Sequence, residues 1–175
     1  MIPKKALKIV DKTLQDVCWS NIPFAGKLII LGGDFRQILP VVKRASQQIK
    51  VEDTIKYSKL WNHFKILKLF RNIRCSNKDF SSLLLKIGER ILDPFIIPHE
   101  WKTRDVCKSV YADINKSQRQ SFDIVGLYMK TELFSHGQLY VALSRSSNQK
   151  KIFIQHDCEN KNEIKNIVSK TVFER

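Results

Sequence analysis

Asp34 is the first residue whose type and place suggest chemistry. It follows KLIIL, an apolar run at 27–31 that reads as a short buried strand, and the pair Gly32–Gly33. A carboxylate at the end of such a strand can hold a metal ion. Phe35 stands next, however, where a general base would be expected, so Asp34 reads rather as a side chain capping a turn. The two glycines make that turn suited to close backbone approach. His156 and Cys158 are half a metal site by residue type, but no second half lies at a workable spacing, so zinc is rejected. The stretch from 43 to 74 holds nine Lys and Arg against two acids, interleaved with Tyr57, Trp61, His63, Phe64 and Phe70. Rings in a cationic groove can stack on bases, although their helical spacing is more often the mark of a core. Neither G-x-x-x-x-G-K-[ST] nor G-x-G-x-x-G occurs, and no strand runs into an Asp-Glu pair.

The elements that must position these residues alternate. Leu7, Val10, Leu14, Val17 and Cys18 fall near a helical stripe that Pro23 and Gly26 end. The KLIIL strand follows, and Pro40 argues against a long helix in FRQILPVV. KILKL at 65–69 reads as another strand, DFSSLLLKIGE at 79–89 as a helix, and 93–103, with two prolines, as a connector. FDIVGLYM then reads as strand, HGQLYVALSR as helix, KIFIQ as strand, and the polar end from about Asn162 as a helix. Strands and helices in this order predict an α/β fold with a parallel sheet.

Composition sets the outer bounds. At 175 residues, 43% hydrophobic and 10% aromatic, the chain has the material for a packed core of one domain or slightly more. Apolar runs of four or five residues are far too short to cross a bilayer, and the N-terminus lacks the order of a secretory signal. The cysteines Cys18, Cys75, Cys107 and Cys158 form no CxxC pair and read as reduced, structural thiols. The net charge is +14, and it is uneven: residues 1–74 carry +10 and residues 75–175 carry +4. A field of that sign favours nucleic acid, anionic lipid or nucleotide phosphates.

Four segments are more specific than any of this: GGDFRQILPV at 32–41, LKLFRNIR at 67–74, INKSQRQSFDIVGLYM at 114–129 and HGQLYVALSR at 136–145. In this order they resemble motifs III, IV, V and VI of the petite-integration-frequency (Pif) family of ATP-dependent DNA helicases, including the helicase parts of rolling-circle transposons. ALKIVDKTLQDV resembles the helix after the family's magnesium-binding Asp-Glu. The resemblance covers residues 1 to about 157. It implies a partial RecA-like architecture of the P-loop NTPase type, with remnants of two motor domains. Residues 1–64 would be the C-terminal part of the first, and 65–175 a shortened second, with an internal deletion near 114–115.

The resemblance also assigns roles. Arg74 and Arg145 would stabilise charge on the γ-phosphate as it is transferred, and Gln37 would sense that phosphate. Gly33, Asp34 and Gln138 would join Gln37, Arg74 and Arg145 around ATP and Mg2+. Lys116, Ser117, Gln118 and His136 would track the backbone of single-stranded DNA. By residue type alone, Arg74 and Arg145 also suit surface ion pairs, Gln37 a loop that bonds its own backbone, and His136 a helix terminus. The chain departs from the family in three respects. The phosphate loop and Asp-Glu would lie upstream of Met1, YADI runs directly into NKSQ, and Arg119 stands in a glycine place.

The implied activity is 5′ to 3′ DNA unwinding driven by ATP, in genome maintenance, repair, recombination and telomere maintenance, carried here by a fragment without its phosphate loop. The alternative is a non-catalytic single-strand-binding remnant of a transposon-derived helicase. Nuclear or mitochondrial residence is implied by the resemblance alone. No membrane partner is expected, and the sequence sets no oligomeric state.

Overall fold

The computed structural model describes residues 1–69, 75, 77–103, 121–157 and 162–173. The chain divides into two compact units, one formed by residues 1–35, 39–68 and 171–175 and the other by 36–38 and 69–170.

The first unit opens with α1 (Lys4–Cys18), which the apolar stripe predicts. Its first turn is tied by Lys4 N donating to the Asp53 carbonyl at 2.7 Å, and Trp19, in the left-handed region at φ 48°, ends it. Asp11 on this helix accepts from Phe24 N at 2.6 Å, fixing the 3-10 turn Pro23–Gly26. Helix α2 (Gln47–Glu52) is capped by Ser46 and followed by two 3-10 turns, Ile55–Tyr57 and Lys59–His63. The aromatics of this basic stretch pack with one another and with two rings from before it. Phe24 lies edge-on to Phe64 at 5.5 Å and Phe35 edge-on to Trp61 at 5.8 Å. Geometry of this kind contributes beyond area burial, so these rings build core before they could build a stacking surface. Lys56 stands 4.6 Å over the Phe35 ring and donates to the Val172 carbonyl at 2.7 Å. Burial pushes its amine below the ordinary lysine value.

KLIIL and KILKL do not form the strands that their composition predicts. Neither finds a ladder partner among the described residues. Leu28 and Ile30 are 89% and 85% exposed. β-propensity describes a fit to a paired, half-buried surface, and without a neighbouring strand it specifies nothing.

The second unit holds the main core. Helix α3 (Lys78–Gly88) starts where Asn77 Oδ1 accepts from Asp79 N and Phe80 N, at 2.9 and 3.1 Å. Phe80, Leu84 and Ile87 recur at helical spacing on its buried face. The strand β1 (Phe95–Ile96) and the turn His99–Trp101 interrupt the expected connector. They bring Trp101 against both Phe80 and Phe95. Next come β2 (Val125–Met129), α4 (Gln138–Leu143) and β3 (Ile152–His156). The two strands pair in parallel from Val125↔Ile152 to Met129↔His156, and α4 lies between them in sequence, a βαβ unit. Lys102 bridges Ile154 in parallel on β3. Leu127, Leu139, Leu143, Ile152 and Ile154 fill the space between strands and helices.

The expected C-terminal helix is replaced by an extended strap. β4 (Glu163–Ile164) pairs antiparallel with β1, and Ile164, Asn166 and Val168 are buried in alternation. A polar residue at the middle inward position hides this period of two from an apolar count.

Core and cap are separable by mutation. Phe80→Ala is expected to cost about 3–5 kcal/mol and Asn77→Ala about 1 kcal/mol, read from urea unfolding midpoints.

Candidate functional site

The GDFRQ segment divides between the two units. Gly33 and Asp34 belong to the first, whereas Arg36, Gln37 and Ile38 belong to the second. Gly33 has no left-handed φ, and a Cβ built on it meets nothing within 4 Å. The close approach expected at Gly32–Gly33 is therefore not made among the described residues. Asp34 is half-buried at the start of the turn.

Two other glycines make close approaches instead. Gly137 is the N-cap of α4 at φ 71°, and a Cβ there would overlap the Arg36 carbonyl oxygen and stand 3.0 Å from the Gln37 carbonyl carbon. At the C-terminal end of α3, a Cβ on Gly88 would come within 2.6 Å of Arg36 Cδ. The Arg36 backbone thus lies on one glycine and its side chain on the other. Its guanidinium reaches Glu89, the residue after α3, in a half-exposed ion pair. Gln37, the expected γ-phosphate sensor, is carried on this seat beside the first residues of α4.

The start of α4 is itself held tightly. Gln138 is buried, and its Oε1 accepts from Phe134 N at 3.0 Å and Ser135 N at 2.9 Å. Its amide oxygen fixes the preceding loop. His136 is fully buried, and its Nδ1 accepts from Ser169 N at 2.9 Å, closing the ring to an external ligand in this conformation. The Gly137 N–H donates to the Ile167 carbonyl at 3.0 Å. The strap that supplies both partners is anchored by Asn166, whose Nδ2 donates to the carbonyls of Ile87 and Leu92 at 2.7 and 2.9 Å.

Arg145 follows the far end of α4 and is 2% exposed. Its Nε donates to the Val141 carbonyl at 3.0 Å and its Nη2 to Ser144 Oγ at 3.2 Å. This is not the solvent-exposed ion pair that arginine composition suggests. A buried cation carries a large desolvation cost and is kept only where hydrogen bonds hold it. Arg74, Lys116, Ser117, Gln118 and Arg119 lie outside the described residues. The structure thus brings Gln37 together with Gly137 at the start of α4 and places Arg145 at the other end of the same short helix. Among the described residues, no group of three or more His, Cys, Asp or Glu could hold a metal ion.

Sequence reasoning passed over Arg36, Gly88 and Glu89. The available signal was the isolated glycine in the helical pattern LLLKIGER, which points to close packing. The two glycine environments predict opposite outcomes. Gly137→Ala should cost more than about 1 kcal/mol, because alanine resists φ 71° and its methyl displaces the Arg36 carbonyl. Gly33→Ala should stay within about 0.5 kcal/mol. Urea unfolding measures both. Amide exchange at residues 36–38 should rise in the Gly137 variant only.

Comparison with known proteins bears on the same residues. A family model for PIF1-like helicase matches residues 1–95. No curated protein matches the chain. Among solved structures it is similar to a Bacteroides Pif1 helicase in complex with ADP-AlF3 and single-stranded DNA, with a TM-score of 0.71 and 17% identity over 99% of this chain and 72% of that one. It is similar to a Candida albicans Pif1 helicase at a TM-score of 0.69 and 15% identity, over 99% and 74% of the two chains. A third likeness is to a Pif1 helicase from work on unwinding of forked double-stranded DNA by two coordinating Pif1 helicases. It has a TM-score of 0.69 and 17% identity, over 99% and 70%. At these identities the likeness shows the fold, which is α/β and partly RecA-like, as the motifs imply. With more than half of its residues matched by the family model, the chain belongs to the PIF1-like helicase family.

Proposed function

We propose that the chain serves ATP-dependent DNA unwinding of the Pif type, with 5′ to 3′ polarity. The observation that carries this reading is the seat of Arg36 on Gly137. It sets Gln37 beside the first residues of the motif VI helix, where a residue that feels the γ-phosphate can pass its position on. The solved relative with ADP-AlF3 and single-stranded DNA supports both ligands for this chain.

In this reading Gln37 contacts the γ-phosphate, its amide able to donate and to accept. Arg145, with Arg74, supplies positive charge as the phosphoryl group is transferred. To do so Arg145 must exchange its bonds to Val141 and Ser144 for phosphate oxygens. Gly33 and Asp34 are proposed to contact the nucleotide. Lys116, Ser117 and Gln118 are proposed to follow the DNA backbone, and His136, being buried, to act on it by positioning the start of α4. The 175 residues contain no phosphate loop of the G-x-x-x-x-G-K-[ST] type, so other groups would cradle the β- and γ-phosphates. The proposed setting is genome maintenance, including repair and recombination, in the nucleus or mitochondrion.

A second reading is favoured by that missing loop and by the charge of +10 on residues 1–74. It is a single-strand binder without turnover, whose affinity falls steeply with salt as phosphate contacts release counterions.

ATP hydrolysis by the purified chain, with and without single-stranded DNA, separates the two. Turnover stimulated by DNA is expected from the first reading. Arg145→Ala should then lower it by about 10³ or more and leave oligonucleotide affinity within roughly twofold. Arg145→Lys, which keeps the charge but loses the planar fork, should recover little. Salt-dependent binding without turnover would establish the second reading, and turnover unchanged in Arg145→Ala would remove that residue from the mechanism.

A further inference from the structure

Each unit contains a short segment from the other's part of the chain. Residues 36–38 belong to the second unit and 171–175 to the first. The first crossing seats Gln37, and the second continues the strap.

Within the second unit the strap holds the start of α4. The Ile167 carbonyl accepts from Gly137 N–H, and Ser169 N–H donates to His136 Nδ1, with the buried Val168 between them in sequence. Three residues beyond Ser169, Val172 is fully buried in the first unit. It clusters with Leu39 and Val51, and Phe35 and Tyr57 pack against that cluster. The Val172 carbonyl accepts from Lys56 Nζ at 2.7 Å, so the seat combines a charged bond with an apolar contact.

The link between the two holds is short and shaped. Three residues span about 10 Å at full stretch. Lys170–Val172 form a 3-10 turn, which spans less. Lys170 and Thr171 are exposed, and the buried groups lie on either side of them. With so little slack, seating Val172 restricts the positions open to Ser169, and ordering one end lowers the entropy cost of ordering the other.

We infer that residues 170–173 are a latch: with Val172 seated on Leu39 and Val51 the strap holds the start of α4, and with Val172 withdrawn the bonds at His136 and Gly137 loosen. Gly137 also carries the Arg36 carbonyl, so a loosened strap reaches the segment that bears Gln37. The latch is a property of the fold and is the same whether or not the chain turns over ATP.

Amide exchange on the 175-residue chain, without nucleotide, tests it. Val172→Ala empties the seat and should speed exchange of the Ser169 and Gly137 amides about tenfold, with the β2–β3 ladder changed by less than about twofold. Lys56→Met keeps the stem over Phe35 and removes the bond to the Val172 carbonyl, and it should speed the same two amides about threefold. This milder variant decides the matter if Val172→Ala does not fold. Asp11→Ala is the control, because it loosens the first unit at Phe24 N and leaves the latch untouched. It should change Ser169 and Gly137 by less than about twofold. Unchanged exchange at these amides in Lys56→Met or in a folded Val172→Ala would overturn the inference. So would an equal rise across the β2–β3 ladder, or the same rise in Asp11→Ala.

Discussion

The second unit depends on how closely backbone can approach backbone at Gly137. A side chain of any size there would push the Arg36 carbonyl away from α4, and with it the residue that follows, Gln37. Gly88 allows the same economy of space for the arginine side chain, which pairs with Glu89. The ion pair is half-exposed and contributes little by itself. Shape fixes the segment and charge orients it. This ordering explains why a motif rich in polar residues is positioned by two residues that have no side chain.

The strap works from the opposite side of the same helix start. Ile167 and Ser169 satisfy a backbone donor and a histidine nitrogen that would otherwise be buried without partners. Unpaired polar groups in such a place cost about 1–3 kcal/mol each. The hydrogen bonds therefore matter less as attractions than as the removal of a penalty. His136 accepting at Nδ1 also requires the proton of its neutral ring on Nε2.

The sequence was legible wherever an element satisfies its own pattern. The helices α1 and α3 have their apolar stripe, and β2, α4 and β3 have the alternation of a βαβ unit, so each could be read locally. KLIIL and KILKL failed for one reason: a strand is a property of two segments, and neither finds its second among the described residues. The C-terminal strap failed for another, since Asn166 takes an inward position that an apolar residue usually holds. At the site, the four motifs were visible as a resemblance, but their support was not. Arg36 could be seen in the motif, whereas its need for Gly88, Glu89 and Gly137 arises only from folding.

Asn166 gives the strap a particular chemical sensitivity. Its amide nitrogen donates to two carbonyls, Ile87 and Leu92, and nothing but a double donor fits between them. Aspartate has nearly the same shape and only acceptors when ionised. Loss of ammonia from this one side chain, the ordinary ageing reaction of asparagine, would replace two attractions with two repulsions at a buried point. The lifetime of the fold around α4 is thus bound to the integrity of a single amide. Its burial, which keeps water from that amide, also preserves it.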